Sequence, residues 1–256
     1  MTEPRRTAPT SRWIAGGALR QAPLKLYCFP HAGGSAAEYI RWGKEIPGVE
    51  VYAVQLPGRA SRFAEQPLTS MDHLVEALLR EVEFTGTYAF FGHSMGSLVA
   101  YELTCALREA GRPLPRRLFV SSGAAPDAPR KHAGLHLMPR DEMLAAVHGK
   151  HGGIPDEVFA HPELKEMVAV GLRADYTVLE TYAWRPRAPL PVPLTVLAGD
   201  REPLARDDSL TGWGRHTTYQ PVTVRTFPGG HFYLREQPGP VVQRMLAELL
   251  GVGAAT

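Results

Sequence analysis

Gly92-His93-Ser94-Met95-Gly96 cages a serine between glycines, and these are the first residues in the chain whose types and spacing could do chemistry. A G-x-S-x-G run gains meaning at a sharp strand-to-helix turn, where the serine hydroxyl is pushed out of the backbone as a nucleophile. Gly92 and Gly96 omit side chains that would clash in such a turn. The amide of Met95, opening the following helix, is placed to stabilise a developing oxyanion. A serine also needs a base to take its proton and a carboxylate to orient that base. Downstream, "LTVLAGDREP" carries Asp200 at the end of one strand-like run, and "VTVRTFPGGHF" carries His231 just past another. Serine, acid, histidine is the chain order found with this kind of turn. Ser94, Asp200 and His231 are therefore the expected nucleophile, orienting acid and base.

Other residues compete for these roles. His216 in "WGRHTTY" also follows the acid, but it precedes its strand and follows none. Asp127, after "FVSSGAAP", is the alternative acid, whereas Asp207 and Asp208 read as exposed loop carboxylates. His31 and His93 adjoin the motifs as wall residues. His132, His136, His148, His151 and His161 fall in a long helical interval and are expected to be solvated. No histidine–carboxylate cluster has metal-site spacing, so neither a metal nor another cofactor is expected. The second oxyanion donor should come from the loop after the first strand. That loop is "CFPHAGGSAAEY", in which Gly33 and Gly34 let the backbone approach a substrate and Ala32 is the expected donor. No G-x-x-x-x-G-K-[ST] phosphate loop is present.

The elements that must position these residues follow from apolar patterning. Runs at 24–30, 49–55, 88–93, 117–123, 194–200 and 222–229 read as strands. "MDHLVEALLREVE" and "SLVAYELTCALREAG" carry apolar residues at helical spacing, the second stopped by Gly111 and Pro113. Continuously apolar strands alternating with helices predict an α/β fold with a parallel sheet covered on both faces. From 124 to 192 two strand candidates are separated by far more than the usual ~2–6 residues. "PRDEMLAAVHG" and "PELKEMVAVGLRADYTVLETYAW" look helical within that interval. Leu164, Val168, Leu172, Tyr176 and Leu179 share a stripe in the latter, which predicts an inserted helical lid over 124–192. Residues 1–23 are expected to be a mobile basic tail and 24–256 the folded domain.

Composition narrows the function classes. The 256 residues are 44% hydrophobic and 21% charged, in the range of a globular domain. No apolar run approaches the ~20 residues of a membrane span, and "WIAGGAL" is too broken for a signal peptide. The basic residues Arg5, Arg6, Arg12, Arg20 and Lys25 face only Glu3 near the N-terminus, so the rest of the chain is slightly acidic despite a net charge of +2. That leaves no basic body for nucleic acid. Cys28 and Cys105 read as small core residues, which points to a reduced, cytoplasmic setting.

"FPHAGG", "LPGR" (Leu56–Arg59), "FFGHSMGSLVAYEL", "LAGDREP" and "FPGGHFYL" together resemble the type II thioesterases of polyketide and non-ribosomal peptide assembly lines, which are α/β-hydrolases. The resemblance runs from about Leu24 to Leu250. It implies Ser94, Asp200 and His231 as the triad, with Ala32 and Met95 as oxyanion amides. It also implies hydrolysis of acyl groups from the phosphopantetheine thiol of a carrier protein. The protein is expected to be a monomer. The family's GDxD is Asp200-Arg201-Glu202 here, a departure that touches only residue 202, to which the resemblance gives a secondary role. An oxygen-ester esterase or lipase would use the same acyl-serine. A non-catalytic binding protein on the same fold would have no need of all three residues.

Overall fold

The computed structural model describes residues 11–17, 24–44, 48–129, 133–203, 210–236, 239–241 and 244–245. Six of the strands are those read from the sequence: β2 (Leu24–Phe29), β3 (Val49–Val54), β4 (Tyr88–His93), β5 (Leu118–Ser121), β6 (Leu194–Gly199) and β7 (Thr223–Phe227). Together with β1 (Ile14–Gly16) they form a seven-stranded sheet in the order β1-β3-β2-β4-β5-β6-β7. Only the β1–β3 pair is antiparallel. The chain leaves β2 for β3 on one side and crosses back to β4 on the other. Beyond the C-terminal ends of β2 and β4 the strand order reverses, and in open parallel sheets that is where a crevice forms. Phe29 lies opposite Gly92 in the register, so the "PHAGG" loop and Ser94 emerge side by side.

Both faces of the sheet are covered, which is why its strands read as continuous apolar runs. Tyr27, Phe29 and Phe90 pack with α2 (Met71–Glu81) and α3 (Met95–Glu109) on one face. Leu26, Cys28 and Phe91 pack on the other with Tyr39 of α1 (Ala37–Ile40), Trp42 and Tyr233 of α7 (Tyr233–Glu236). Helix α3 is buried nearly all round, beyond the single face its apolar spacing predicts, because Val178, Leu190 and Trp213 close over its far side. The two cysteines are buried and unpaired, as read.

Between β5 and β6 run α4 (Arg140–His151), α5 (Asp156–Ala160) and α6 (Pro162–Thr181), close to the predicted helices. They share a small core of their own, built around Leu135, Met143, Leu144, Val158, Leu172 and Tyr176. Leu164, expected on the buried stripe, is instead exposed.

The expectation of a mobile tail over 1–23 is corrected at Trp13–Gly16. Trp13 is 3% exposed, with the Arg62 guanidinium 4.1 Å from its ring centre, and Ile14 pairs with Val54. Truncating a buried tryptophan to alanine costs roughly 3–5 kcal/mol, a large anchor for any segment. The cause is β3, whose outer edge carries unpaired amides and carbonyls that a short strand can satisfy. Three residues are too few to show a strand period. Residues 1–10 and 18–23 lie outside the described residues, as do His132, Asp207 and Asp208.

Candidate active site

Ser94 sits in the turn between β4 and α3 with φ 53° and ψ −114°, a conformation L-residues rarely adopt. The flanking glycines are required by space. A Cβ on Gly92 would lie 2.1 Å from Gly96 O, and one on Gly96 would lie 2.0 Å from Phe29 O. The turn is fastened beneath by Ser94 N–H donating to Ser121 O (2.7 Å) and by Ser97 Oγ, 2.9 Å from Gly92 O. Met95 is the first residue of α3, where amides have no intrahelical acceptor. Met95, Ser94 and Ala32 line one cavity.

His231 lines the same cavity, but the structure gives it a different acid from the one expected. Its Nδ1 lies 2.6 Å from Glu202 Oε2. Asp200 points elsewhere and accepts a hydrogen bond from Gly229 N–H at 3.0 Å. The Glu202 side chain is 3% exposed and that of Asp200 52%. After β6 the chain makes a turn closed by Glu202 N–H donating to Gly199 O (3.2 Å). Asp200 and Arg201 occupy the outer corner of that turn, and Glu202 returns inward. Its longer side chain then reaches the histidine. The two loops touch so closely that a Cβ on Gly199 would meet Gly230 O at 2.3 Å. Because a carboxylate can only accept, His231 Nδ1 carries the proton and Nε2 is left as the basic nitrogen.

Three more histidine rings lie near His231. His93 lies 5.2 Å from His231 and His151 4.2 Å, centre to centre, while His31 stands 5.7 Å from His93. Burial pushes His31 down to about 3, with Arg235 and the neighbouring imidazoles adding to the shift. Burial likewise lowers His151 to about 3 and His93 well below the usual histidine range. All three are neutral at pH 7 and place no positive charge against His231. His151, at the end of α4, is expected from the sequence to be solvated and instead packs on His231. His136 and His148 are also engaged, with Glu180 (2.5 Å) and Ile154 O (2.9 Å), whereas His161 is exposed. An inserted helix returning over the sheet accounts for the difference, which residue spacing does not reveal.

The loop after β2 makes a turn from His31 to Gly34, closed by Gly34 N–H donating to His31 O (2.9 Å). Gly33 is its third residue with φ +79°, where glycine is favoured. Gly33 N–H donates to Asp175 Oδ2 of α6 at 2.7 Å. Asp175 in turn holds Arg59 of "LPGR" through both carboxylate oxygens, at 2.5 and 2.7 Å. Asp175 escaped the sequence reading. Its one signal is an acidic residue one position ahead of Tyr176 on the apolar stripe of α6.

The cavity over Ser94 measures about 810 Å³. The inserted helices give it an apolar wall of Val147, Ile154, Val168, Leu172, Tyr176 and Leu179, and Lys150, Arg201 and Arg235 also reach it. The rival residues lie apart. His216 Nε2 meets Asp127 Oδ1 at 2.9 Å, and its Nδ1 lies 3.2 Å from Tyr101 OH, with the Trp213 ring 6.0 Å away centre to centre. Neither His216 nor Asp127 lines the cavity. Among the described residues, no group of three or more His, Cys, Asp or Glu could hold a metal ion, and no helix is long and apolar enough to cross a membrane.

Comparison with known proteins places this geometry among relatives. The sequence model of the thioesterase domain matches residues 24–249. The gramicidin S biosynthesis protein GrsT of Aneurinibacillus migulanus is 32% identical over 243 residues, covering 93% of this chain and 94% of that one. Thioesterase PikA5 of Streptomyces venezuelae is 39% identical over 219 residues, covering 84% and 76%. The solved structure of BorB, a type II thioesterase from the borrelidin biosynthetic cluster, superposes with a TM-score of 0.82 at 36% identity, covering 93% of this chain and 97% of its own.

Proposed function

Given that the chain belongs to the thioesterase domain family, we propose that it is a type II, editing thioesterase, which hydrolyses acyl groups from the phosphopantetheine arm of polyketide or non-ribosomal peptide carrier proteins. The reading is carried by one observation: Ser94 and the Glu202-bonded His231 open into a cavity walled by apolar residues of the inserted helices. Ser94 Oγ attacks the thioester carbonyl as His231 Nε2 takes its proton. Glu202 holds the imidazole in the productive tautomer and stabilises the imidazolium that forms. The tetrahedral oxyanion is received by the amides of Ala32 and Met95. The C–S bond breaks, the thiol leaves with the proton from His231, and the acyl group remains on Ser94. Water, deprotonated by His231, then attacks the acyl-serine; the acyl–oxygen bond breaks as His231 gives that proton to Ser94 Oγ, releasing the carboxylic acid.

The inserted helices act as a lid of the kind expected over 124–192, the acyl chain lying against Leu172 and Tyr176. Lys150, Arg201 and Arg235 suit the phosphodiester at the root of a pantetheine arm, which a simple oxygen-ester substrate lacks. The test is intact-mass analysis of carrier proteins loaded with a panel of acyl groups, incubated with the protein and with its Ser94→Ala variant. Loss of acyl mass with the first alone is expected. Persistence of every acyl group with both would overturn the reading.

A further inference from the structure

Asp175 is 2% exposed in the middle of α6, yet its carboxylate serves two segments of the body rather than its own helix. Oδ2 accepts from Gly33 N–H and from Arg59 Nη1, and Oδ1 accepts from Arg59 Nη2. Arg59, also buried, places Nη1 3.4 Å from Gly34 O and Nη2 3.4 Å from Gly171 O. The ion pair thus ties together the His31–Gly34 turn, the "LPGR" segment and the helix whose Leu172 and Tyr176 wall the cavity. Stability alone explains it poorly. Desolvating two charges offsets most of their attraction, and a packed apolar pair in the same volume often holds a fold as well.

An apolar pair could not accept the Gly33 N–H. Turns that differ by a flip of the central peptide exchange the places of that N–H and the preceding carbonyl. A carboxylate at this place therefore attracts one state and repels the other. The state it selects has Gly33 at φ +79°. Holding the Ala32–Gly33 peptide there anchors the turn one peptide beyond the Ala32 N–H, and Ala32 lines the cavity beside Ser94. We propose that Asp175, paired with Arg59, is a positioning residue that locks the oxyanion turn, so that the lid helix must be docked for the oxyanion site to be formed. The proposal rests on Ser94 being the nucleophile but not on the nature of the acyl carrier.

Asp175→Asn, and Arg59→Met combined with Asp175→Leu, test it. The double variant leaves no uncompensated buried charge, so its melting temperature should stay near that of the wild type. With p-nitrophenyl hexanoate, kcat should fall about 10- to 100-fold while KM changes less than about threefold, because a displaced oxyanion donor acts in the transition state. Affinity for hexylboronic acid, whose serine adduct is tetrahedral, should fall in parallel, while affinity for hexanoate should not. A folded double variant with wild-type kcat and boronate affinity would overturn the proposal. So would equal losses of boronate and hexanoate binding. In the wild type, Gly33 N–H should exchange with solvent as slowly as Gly34 N–H, and free exchange at Gly33 beside a protected Gly34 would also overturn it. None of these measurements uses a carrier protein, so the substrate reading can fail without touching them. A wild type inert to both ester and boronate would instead remove the nucleophile assignment, leaving Gly33 exchange to judge the clamp.

Discussion

Glu202 Oε2 and His231 Nδ1 meet at 2.6 Å although 29 positions separate them in the chain. They meet because Gly199 lets the loops after β6 and β7 touch backbone to backbone, and because the turn after β6 sends Asp200 outward and Glu202 inward.

That geometry predicts opposite outcomes for two amide substitutions. Glu202→Gln should lower kcat on the order of 10²- to 10⁴-fold by favouring the wrong tautomer of His231. Asp200→Asn should stay within about threefold of wild type, since its side chain keeps an oxygen to accept from Gly229 N–H. Steady-state kinetics on both decides the acid, and the reverse ranking would return the role to Asp200.

Ser94→Ala should abolish acyl release while leaving the fold intact, because the hydroxyl buries no apolar area. The expected loss is on the order of 10³-fold or more. A variant keeping a tenth of the wild-type rate, with an unchanged circular dichroism spectrum, would remove Ser94 from the mechanism.

Asp127 bears on stability and not on turnover. Its hydrogen bond from Arg215, joined by one from His216, holds its carboxyl down to about 2. A lowered native value means that its contribution is fully present above the unfolded value of about 3.9 and is lost between about pH 4 and pH 2. Asp127→Asn should therefore lower the urea midpoint at pH 7, by a difference that shrinks as the pH falls below 4, with kcat/KM close to wild type. A constant difference down to pH 2.5 would show that the carboxylate charge contributes nothing.

Hydrogen exchange should rank the inserted helices. Helix α6 is fastened at Asp175 and by Val178 in the main core, whereas α4 and α5 rest mainly on the small cluster shared with α6. Amides of α4 and α5 should exchange faster than those around Asp175, and both faster than those of β6. A long-chain phosphonate on Ser94 should slow α4 and α5 by supplying apolar contacts. Protection equal to β6 in the free protein, unchanged by the label, would make the insertion a rigid part of the body.

Local pattern carried much of this protein. Six strands were legible as continuous apolar runs because both sheet faces are covered, and α6 was legible from Pro162, though read three residues past its end at Thr181, because a long amphipathic helix repeats its signal many times. The Gly-Ser-Gly turn was legible because steric need at Gly92 and Gly96 acts over a few bonds. His231 could be placed just past a strand end for the same local reason. β1 was hidden, since three residues carry no period and its partner is a distant sheet edge.

What only the tertiary structure decided were the partnerships. Which of Asp200 and Glu202 meets His231 depends on the direction of one turn and on how closely another loop approaches it. That His151 packs on His231, and that Asp175 reaches Gly33 and Arg59, depends on where the inserted helices land. Chain periodicity reports which face of an element is buried, because burial repeats along the element. A hydrogen bond between two side chains far apart in sequence repeats nowhere, and its direction is set by packing that no single segment contains.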